Sequence, residues 1–300
     1  MPHATASIIA HIHGGLGNQL FCYAAARNLA LRAELPLKLN TTTGYRKEKY
    51  QRQCLLEQFN IRANEAGAWE AYRGPLGRTR RSMQIKRDAK QPIDMRLIIK
   101  EPSNQAFISE LLELKPRQSV YLLGHWQDER YFVEARQTLR TELMLPADAP
   151  FDADPQLDAL TQQPHAVSVH LRSYAEVKDP PAGLVLDASY YSAALDAIKQ
   201  QQPDAHFIAF SDNRDWAQQI IEQSNHLEHT TFAEPASADP TTATLTDFQL
   251  MTRCQHHVVG NSSFSWWTAW LGERDDSHII APPTGLPGHG RGFPPRWLGG

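Results

Sequence analysis

Apolar and polar positions along this 300-residue chain switch between two periods. Short apolar runs of strand length are separated by stretches with helical spacing. Ser7–His13, Leu35–Asn40 and Ser119–Leu123 read as strands, with helices predicted over Gln19–Arg32 and Asp128–Leu143. A stretch carrying Pro146, Pro150 and Pro155 follows, which can continue neither a helix nor a central strand. Beyond it, strands are predicted at His165–Leu171, His206–Phe210, His257–Val259 and His278–Ala281, and helices at Ala188–Gln201, Asn213–Glu222, Thr244–Cys254 and Ser263–Leu271. Strands alternating with helices imply βαβ units on parallel sheets, an α/β fold. The proline-rich stretch divides it into residues 1–150 and 151–300, two Rossmann-like parallel-sheet domains expected to face a cleft.

Charge and composition narrow the reading. The formal net charge is −3, which argues against nucleic acid as a partner. Cys22, Cys54 and Cys254 are odd in number and form no C-x-x-C pair. That argues against a disulfide framework or structural zinc, and for a reducing compartment. No apolar stretch approaches the roughly 20 residues of a membrane span, so the expected location is the cytoplasm. One segment departs from the average: residues 71–100 carry nine Lys/Arg against Asp88 and Asp94, a net of +7. It reads either as a solvated, partly mobile segment or as a patch for an anionic membrane surface or a phosphate-bearing acceptor.

Four constellations carry candidate chemistry. His13-Gly-Gly-Leu-Gly-Asn-Gln19 lies between the first strand and the first helix. Its Gly15 and Gly17 allow close backbone approach to a ligand, and a helix N-terminus attracts an anion. It is a poor dinucleotide fingerprint, because Leu20 holds the third glycine position and Asn40 stands where a ribose-binding acid belongs. Asn18 offers a carboxamide for a sugar hydroxyl or a phosphate, or else caps the helix. The strand ending His170-Leu-Arg172 places His170 and Arg172 on one face at its carboxyl end, where parallel sheets bind ligands. Arg172 suits a pyrophosphate, against an ordinary ion pair; His170 suits a ligand contact, against a core histidine. Ser211-Asp212 ends the next strand, where Asp212 accepts from a guanine edge or ribose, or caps the following helix. Asn261-Ser262-Ser263-Phe264 opens a helix carrying Trp266, Trp267 and Trp270, an anion cradle followed by a packed core helix. Asp152-Ala-Asp154 is a D-x-D, but it lies between prolines in the linker and off any strand end, so no metal site is expected.

Taken together these motifs resemble the α-1,2-fucosyltransferase family of bacterial enzymes and animal blood-group H transferases. The resemblance rests on Gly14-Gly-Leu-Gly-Asn-Gln-Leu-Phe21 with Tyr23, Gly124-His-Trp-Gln127 with Tyr131-Phe132, His170-Leu-Arg172, Phe210-Ser-Asp212 and Asn261–Leu271, in that order. It implies a GT-B-like fold and inverting transfer of L-fucose from GDP-fucose to the 2-hydroxyl of a terminal galactose, with no metal cofactor. The first domain would be the acceptor side and the second the donor side. Gly15, Gly17, Asn18, His170, Arg172, Ser211, Asp212, Asn261, Ser262, Ser263 and Phe264 would meet the donor. Arg172 and Asn18 would act in catalysis, with Glu176 ahead of Asp179 and Asp187 as the candidate base. The family commonly reads H-x-R-R-x-D-Y; here Ser173 replaces the second arginine and the acid is missing. Fucose transfer to another position (α-1,6, or onto protein), a non-catalytic glycan binder using the tryptophans, and a nicotinamide-dependent oxidoreductase are the rival readings.

Overall fold

The computed structural model describes residues 6–47, 50–180, 183–235, 237–286 and 292–297. They form two compact units, Met1–Met144 and Leu145–Gly300. The division falls just ahead of the proline-rich stretch.

The first unit holds β1 (Ile8–His11), α1 (Leu16–Ala33), β2 (Leu37–Asn40), β3 (Asn64–Glu65), α2 (Gly74–Asp88), β4 (Ile98–Lys100), β5 (Val120–Leu123) and α3 (Arg136–Glu142). Its strands make one parallel five-stranded sheet in the order β3-β2-β1-β5-β4. The predicted helix over Asp128–Leu143 is broken. Two single turns of 3₁₀ helix, Glu129–Tyr131 and Val133–Ala135, precede the short α3. The cause is a tertiary contact: Asn28 Nδ2 donates to the Tyr131 carbonyl at 2.8 Å, taking an acceptor a continuous helix would need. Tyr131 and Phe132 are both buried, so the chain turns to deliver two adjacent rings inward.

The basic segment is helical and largely exposed, with Asp88 the one buried residue of its helix. Residues 74–88 form α2 and 98–100 form β4. Ile85 packs on a cluster with Ile98 and Tyr121, and the buried Asp88 carboxylate accepts from Ile98 N at 2.8 Å.

The second unit holds α4 (Pro155–Thr161), β6 (Ala166–Leu171), α5 (Ala188–Gln201), β7 (His206–Ser211), α6 (Arg214–Gln223), β8 (Thr230–Phe232), α7 (Pro240–Arg253), β9 (His256–Val258), α8 (Ser263–Gly272) and β10 (Ile279–Ile280). Its parallel sheet runs β10-β9-β6-β7-β8. The period of two sorts its faces. Val167, Val169 and Leu171 pack with α5 and α6, while Ala166, Ile208 and Phe210 pack with α4 and α7. In α8, Trp266, Trp267 and Trp270 are fully buried, with Trp266 and Trp270 stacked at 6.0 Å. These rings belong to the core, which removes them as a glycan-stacking platform.

Candidate functional site

In a parallel sheet whose order reverses, the loops at the reversal part to opposite faces and leave a crevice at the carboxyl ends of the strands. Each unit has one such point: between β1 and β5 in the first, and between β6 and β9 in the second.

The second unit brings most of the expected donor residues to its switch point. Gly260 follows β9 and lies against β6 so closely that a Cβ there would sit 2.5 Å from the His170 carbonyl and 2.9 Å from its Nδ1. The glycine is therefore a packing requirement. His170 lies beneath it, buried, its Nδ1 without a hydrogen-bond partner and its ring 5.9 Å from that of Phe264. Burial, and then the Arg172 charge, lower its pKa to about 4, so it is neutral at physiological pH. It shapes the crevice and supplies no cation.

Arg172 stands at the rim. One guanidinium nitrogen donates to Asp212 and another to Glu176. A guanidinium has five N–H donors, so this clamp leaves donors available to a ligand. Asp212 does not cap α6; Asn213 does, accepting from Trp216 N at 3.1 Å. Asp212 instead accepts from Arg172, from Ser173 N at 2.7 Å, from Ser173 Oγ at 3.0 Å and from Tyr174 N at 3.1 Å. It organises the loop after β6, and a direct contact to guanine or ribose would compete with these bonds. Glu176, the candidate base, is held on the same arginine. Asp187, another base candidate, caps α5 through the backbone N–H groups of Ser189 and Tyr190. Ser211 Oγ is taken up in a turn with Asn213.

The loop after β6 is tied to the loop after β9. The Tyr174 ring lies 4.7 Å from the Arg172 guanidinium carbon, and its hydroxyl donates to the Asn261 carbonyl at 2.5 Å. Asn261 Nδ2 donates to the carbonyls of Gly183 and Leu184, at 3.2 and 3.3 Å, leaving its buried Oδ1 without a partner. Ser262 caps α8, its hydroxyl accepting from Phe264 N at 3.2 Å. Ser263 and Phe264 are partly exposed at the helix N-terminus. The outcome is a cation and a partly exposed helix N-terminus on neighbouring loops, an arrangement suited to a phosphate.

At the switch point of the first unit, Gly14 at φ +75° leads into α1, and a Cβ there would meet Asn18 Nδ2 at 2.8 Å. Gly15 is the N-cap residue, so Gly17 and Asn18 lie in the first turn and Asn18 caps nothing. Asn18 Oδ1 accepts from Gln127 Nε2 at 2.8 Å, joining the Gly-rich loop to the loop after β5. Gln19 fastens the loop, donating to the carbonyls of Gly14 at 3.0 Å and Gln53 at 2.8 Å.

Beside these residues lies a cavity of about 420 Å³ lined by His11, His13, His125, Glu101, Ser103 and others. His13 and His125 have ring centroids 4.6 Å apart, and His11 and His13 5.2 Å apart. Burial lowers the pKa of His13 and, with the neighbouring positive groups, that of His11 to about 3. His11 and His13 therefore stand as neutral imidazoles, with Lys100 and Glu101 also in the lining. Glu101, its pKa raised by burial, accepts from His125 N at 2.6 Å and Trp126 N at 3.1 Å. Trp126 sits at φ +57°, strained for a bulky side chain, and the carboxylate holds it there. Sequence reasoning singled out His125-Trp126-Gln127 only as part of a motif and missed Glu101, His11 and this pocket. The available signal was a run of polar residues directly after the apolar ends of β4 and β5.

In the D-x-D, Asp154 caps α4 through Gln156 N and Leu157 N. Among the described residues no group of three His, Cys, Asp or Glu is placed to hold a metal ion. The described cysteines Cys22, Cys54 and Cys254 are free thiols, and no described helix is long and apolar enough to cross a membrane.

The sequence model of glycosyl transferase family 11 matches residues 7–286, from the start of β1 to beyond β10. The chain belongs to this family. Among family 11 relatives it is 29% identical to an Escherichia coli alpha-1,2-colitosyltransferase, over 92% of this chain and 91% of that one. It is 27% identical to the Bos taurus galactoside 2-alpha-L-fucosyltransferase SEC1, over 44% of this chain and 37% of that one. The fold superimposes on the Bradyrhizobium fucosyltransferase NodZ with a TM-score of 0.51 at 16% identity, covering 90% of this chain and 94% of that one. The architecture is GT-B-like, as the alternating pattern and the motif resemblance implied. A dinucleotide-dependent oxidoreductase is set aside by the family membership.

Proposed function

We propose that this family 11 glycosyltransferase moves L-fucose from GDP-fucose to the 2-hydroxyl of a terminal galactose, with inversion and without a metal cofactor. The observation that carries the donor half is the Arg172 clamp beside the N-terminus of α8. In such a transfer the bond from fucose C1 to the β-phosphate oxygen breaks, and negative charge grows on the departing GDP. The acceptor oxygen bonds to C1 from the opposite face, and its proton leaves with bulk water or a base. Arg172, already oriented by Asp212 and Glu176, and the N–H groups opening α8 are preorganised donors for that growing charge. Such stabilisation is the largest single catalytic term in many enzymes. NodZ, which shares the fold, has been crystallised with GDP and soaked with GDP-fucose, which supports a guanine nucleotide sugar as donor.

The pocket of the first unit, with the imidazoles of His11 and His13 among hydrogen-bonding side chains, supports a sugar hydroxyl as acceptor. Uncharged imidazoles can both donate to and accept from hydroxyls without favouring an anion. A second donor, colitose in place of fucose, is favoured by the full-length likeness to the colitosyltransferase. Turnover of GDP-activated fucose and colitose against a panel of galactosides, with and without EDTA, separates these readings. Linkage analysis by NMR then assigns the position. Transfer that requires a divalent ion, or a product joined elsewhere than O2, would refute the corresponding part of the proposal.

A further inference from the structure

We infer that α2 is an interfacial helix that seats the protein on an anionic lipid surface. The helix holds Arg78, Arg80, Arg81, Lys86 and Arg87, and its one acid, Asp88, is buried and bonded to Ile98 N and to Gln84 Nε2. Arg81 turns inward toward Tyr121 and Arg80 lies over Trp69, while Arg78, Lys86 and Arg87 are exposed with no carboxylate of the helix among them. Arg78, Lys86, Arg87 and Lys90 have no ion-pair partner among the described residues, and residues 71–100 carry +7 in a chain whose total is −3.

The side of the helix that carries Arg87 is also apolar. Leu76 and Met83 are seven residues apart, two turns along one side, and are 87% and 61% exposed. Ile85 and Asp88, on the opposite side, bind the helix to β4. Trp69, just ahead of the helix, is 77% exposed, with the Arg80 guanidinium 3.3 Å from its ring centre. Met95, just beyond the helix, is exposed as well. Exposed Leu, Met and Trp flanked by Arg and Lys form the surface that lies at a headgroup boundary: apolar tips enter the acyl edge while cations meet phosphates. A soluble phosphorylated glycan would match the cations and leave Leu76, Met83 and Trp69 without a role, so the membrane surface is the better fit.

The test is sedimentation of the full chain with vesicles of phosphatidylcholine alone and of phosphatidylcholine mixed with phosphatidylglycerol. Binding is expected only to the mixed vesicles, falling with added salt. Removing Arg78, Lys86, Arg87 and Lys90 together as glutamines should weaken it at least about a hundredfold, since each juxtamembrane cation contributes about fivefold. Leu76→Ser with Met83→Ser leaves the charge unchanged and should still weaken it several-fold. Trp69 fluorescence should shift to the blue on binding, with Trp69→Phe as control. Turnover of a soluble acceptor should be unaltered in every variant, which shows that each one folds. Equal binding to neutral and anionic vesicles, wild-type binding by the glutamine variant, or saturation of the patch by a soluble phosphorylated glycan while vesicles stay unbound would overturn the inference.

Discussion

Replacing Arg172 with alanine separates a catalytic cation from a structural one. The side chain is 20% exposed and bridges Asp212 and Glu176, so its loss removes two partly screened ion pairs. Such pairs contribute about 1 kcal/mol or less each. Asp212 keeps its bonds from Ser173 N, Ser173 Oγ and Tyr174 N, so the loop stays anchored. A shift in Tm of no more than about 2–4 °C per kcal/mol is expected for a chain of this size. The catalytic cost is of another order. Losing one preorganised donor to a developing oxyanion lowers turnover by about 10²–10³, or about 2.7–4 kcal/mol. Here a charged donor goes, and two carboxylates remain facing the departing diphosphate. The expected loss in kcat/KM is therefore at or above about 10³. Arg172→Ala combined with Glu176→Gln removes one of those carboxylates and should recover about tenfold. The assay is release of GDP under donor-limited conditions, with calorimetric melting as the fold control. A kcat/KM within about tenfold of wild type in a folded Arg172→Ala protein would refute the reasoning, as would a double variant slower than the single one.

Other expectations follow from the same geometry. Gly260→Ala forces a Cβ to within 2.5 Å of a buried carbonyl and should lower stability by about 1–3 kcal/mol, read by urea unfolding, while weakening GDP binding in calorimetry. His125→Ala should raise the acceptor KM about tenfold or more and leave the donor KM unchanged, because its loop lines the first unit's pocket alone. Equal effects on both KM values would contradict that assignment. Asp247 has no hydrogen bond to a described residue, and burial pushes its pKa from 3.8 to about 7. The unfolded chain ionises it first, so its contribution to stability falls as pH rises from about 4 to 7. Asp247→Asn should therefore unfold like wild type at pH 4 and be more stable by about 2 kcal/mol above pH 7, a discounted share of the linkage for a side chain that keeps some solvent contact.

The pattern of apolar positions located the strands of both sheets that form the switch points, because buried parallel strands are nearly continuous apolar runs. It failed where tertiary bonds override local spacing. Over Asp128–Leu143 the helical period is real, yet Asn28 takes the Tyr131 carbonyl and the helix starts only at Arg136. Over residues 71–100 the period was hidden by Gly74, Pro75, Gly77 and six arginines. What makes α2 a helix there is one inward isoleucine and one buried aspartate, a signal too sparse for a periodicity reading. At the site, Arg172, Ser262 and Ser263 were legible from their place at strand and helix ends. The partner of Arg172 was not, because Asp212 comes from the next strand and only register brings Leu171 opposite Ser211.

That register also bears on the departure from the family's H-x-R-R-x-D-Y pattern. The loop after β6 lacks the pattern's second arginine and has no acid at the expected position, and Ser173 and Tyr174 follow Arg172 directly. The structure supplies a carboxylate from the neighbouring strand: Asp212 gathers the Arg172 guanidinium, the Ser173 N–H and hydroxyl, and the Tyr174 N–H into one cluster. Tyr174, held at φ +55° by this contact, then reaches across to the Asn261 carbonyl. A short serine permits the loop to close on Asp212, where a long second arginine would have to find space beside the first. The orientation of Arg172 in this chain thus depends on Asp212 from the neighbouring strand, on Glu176 of its own loop and on a tyrosine bridge to the loop after β9.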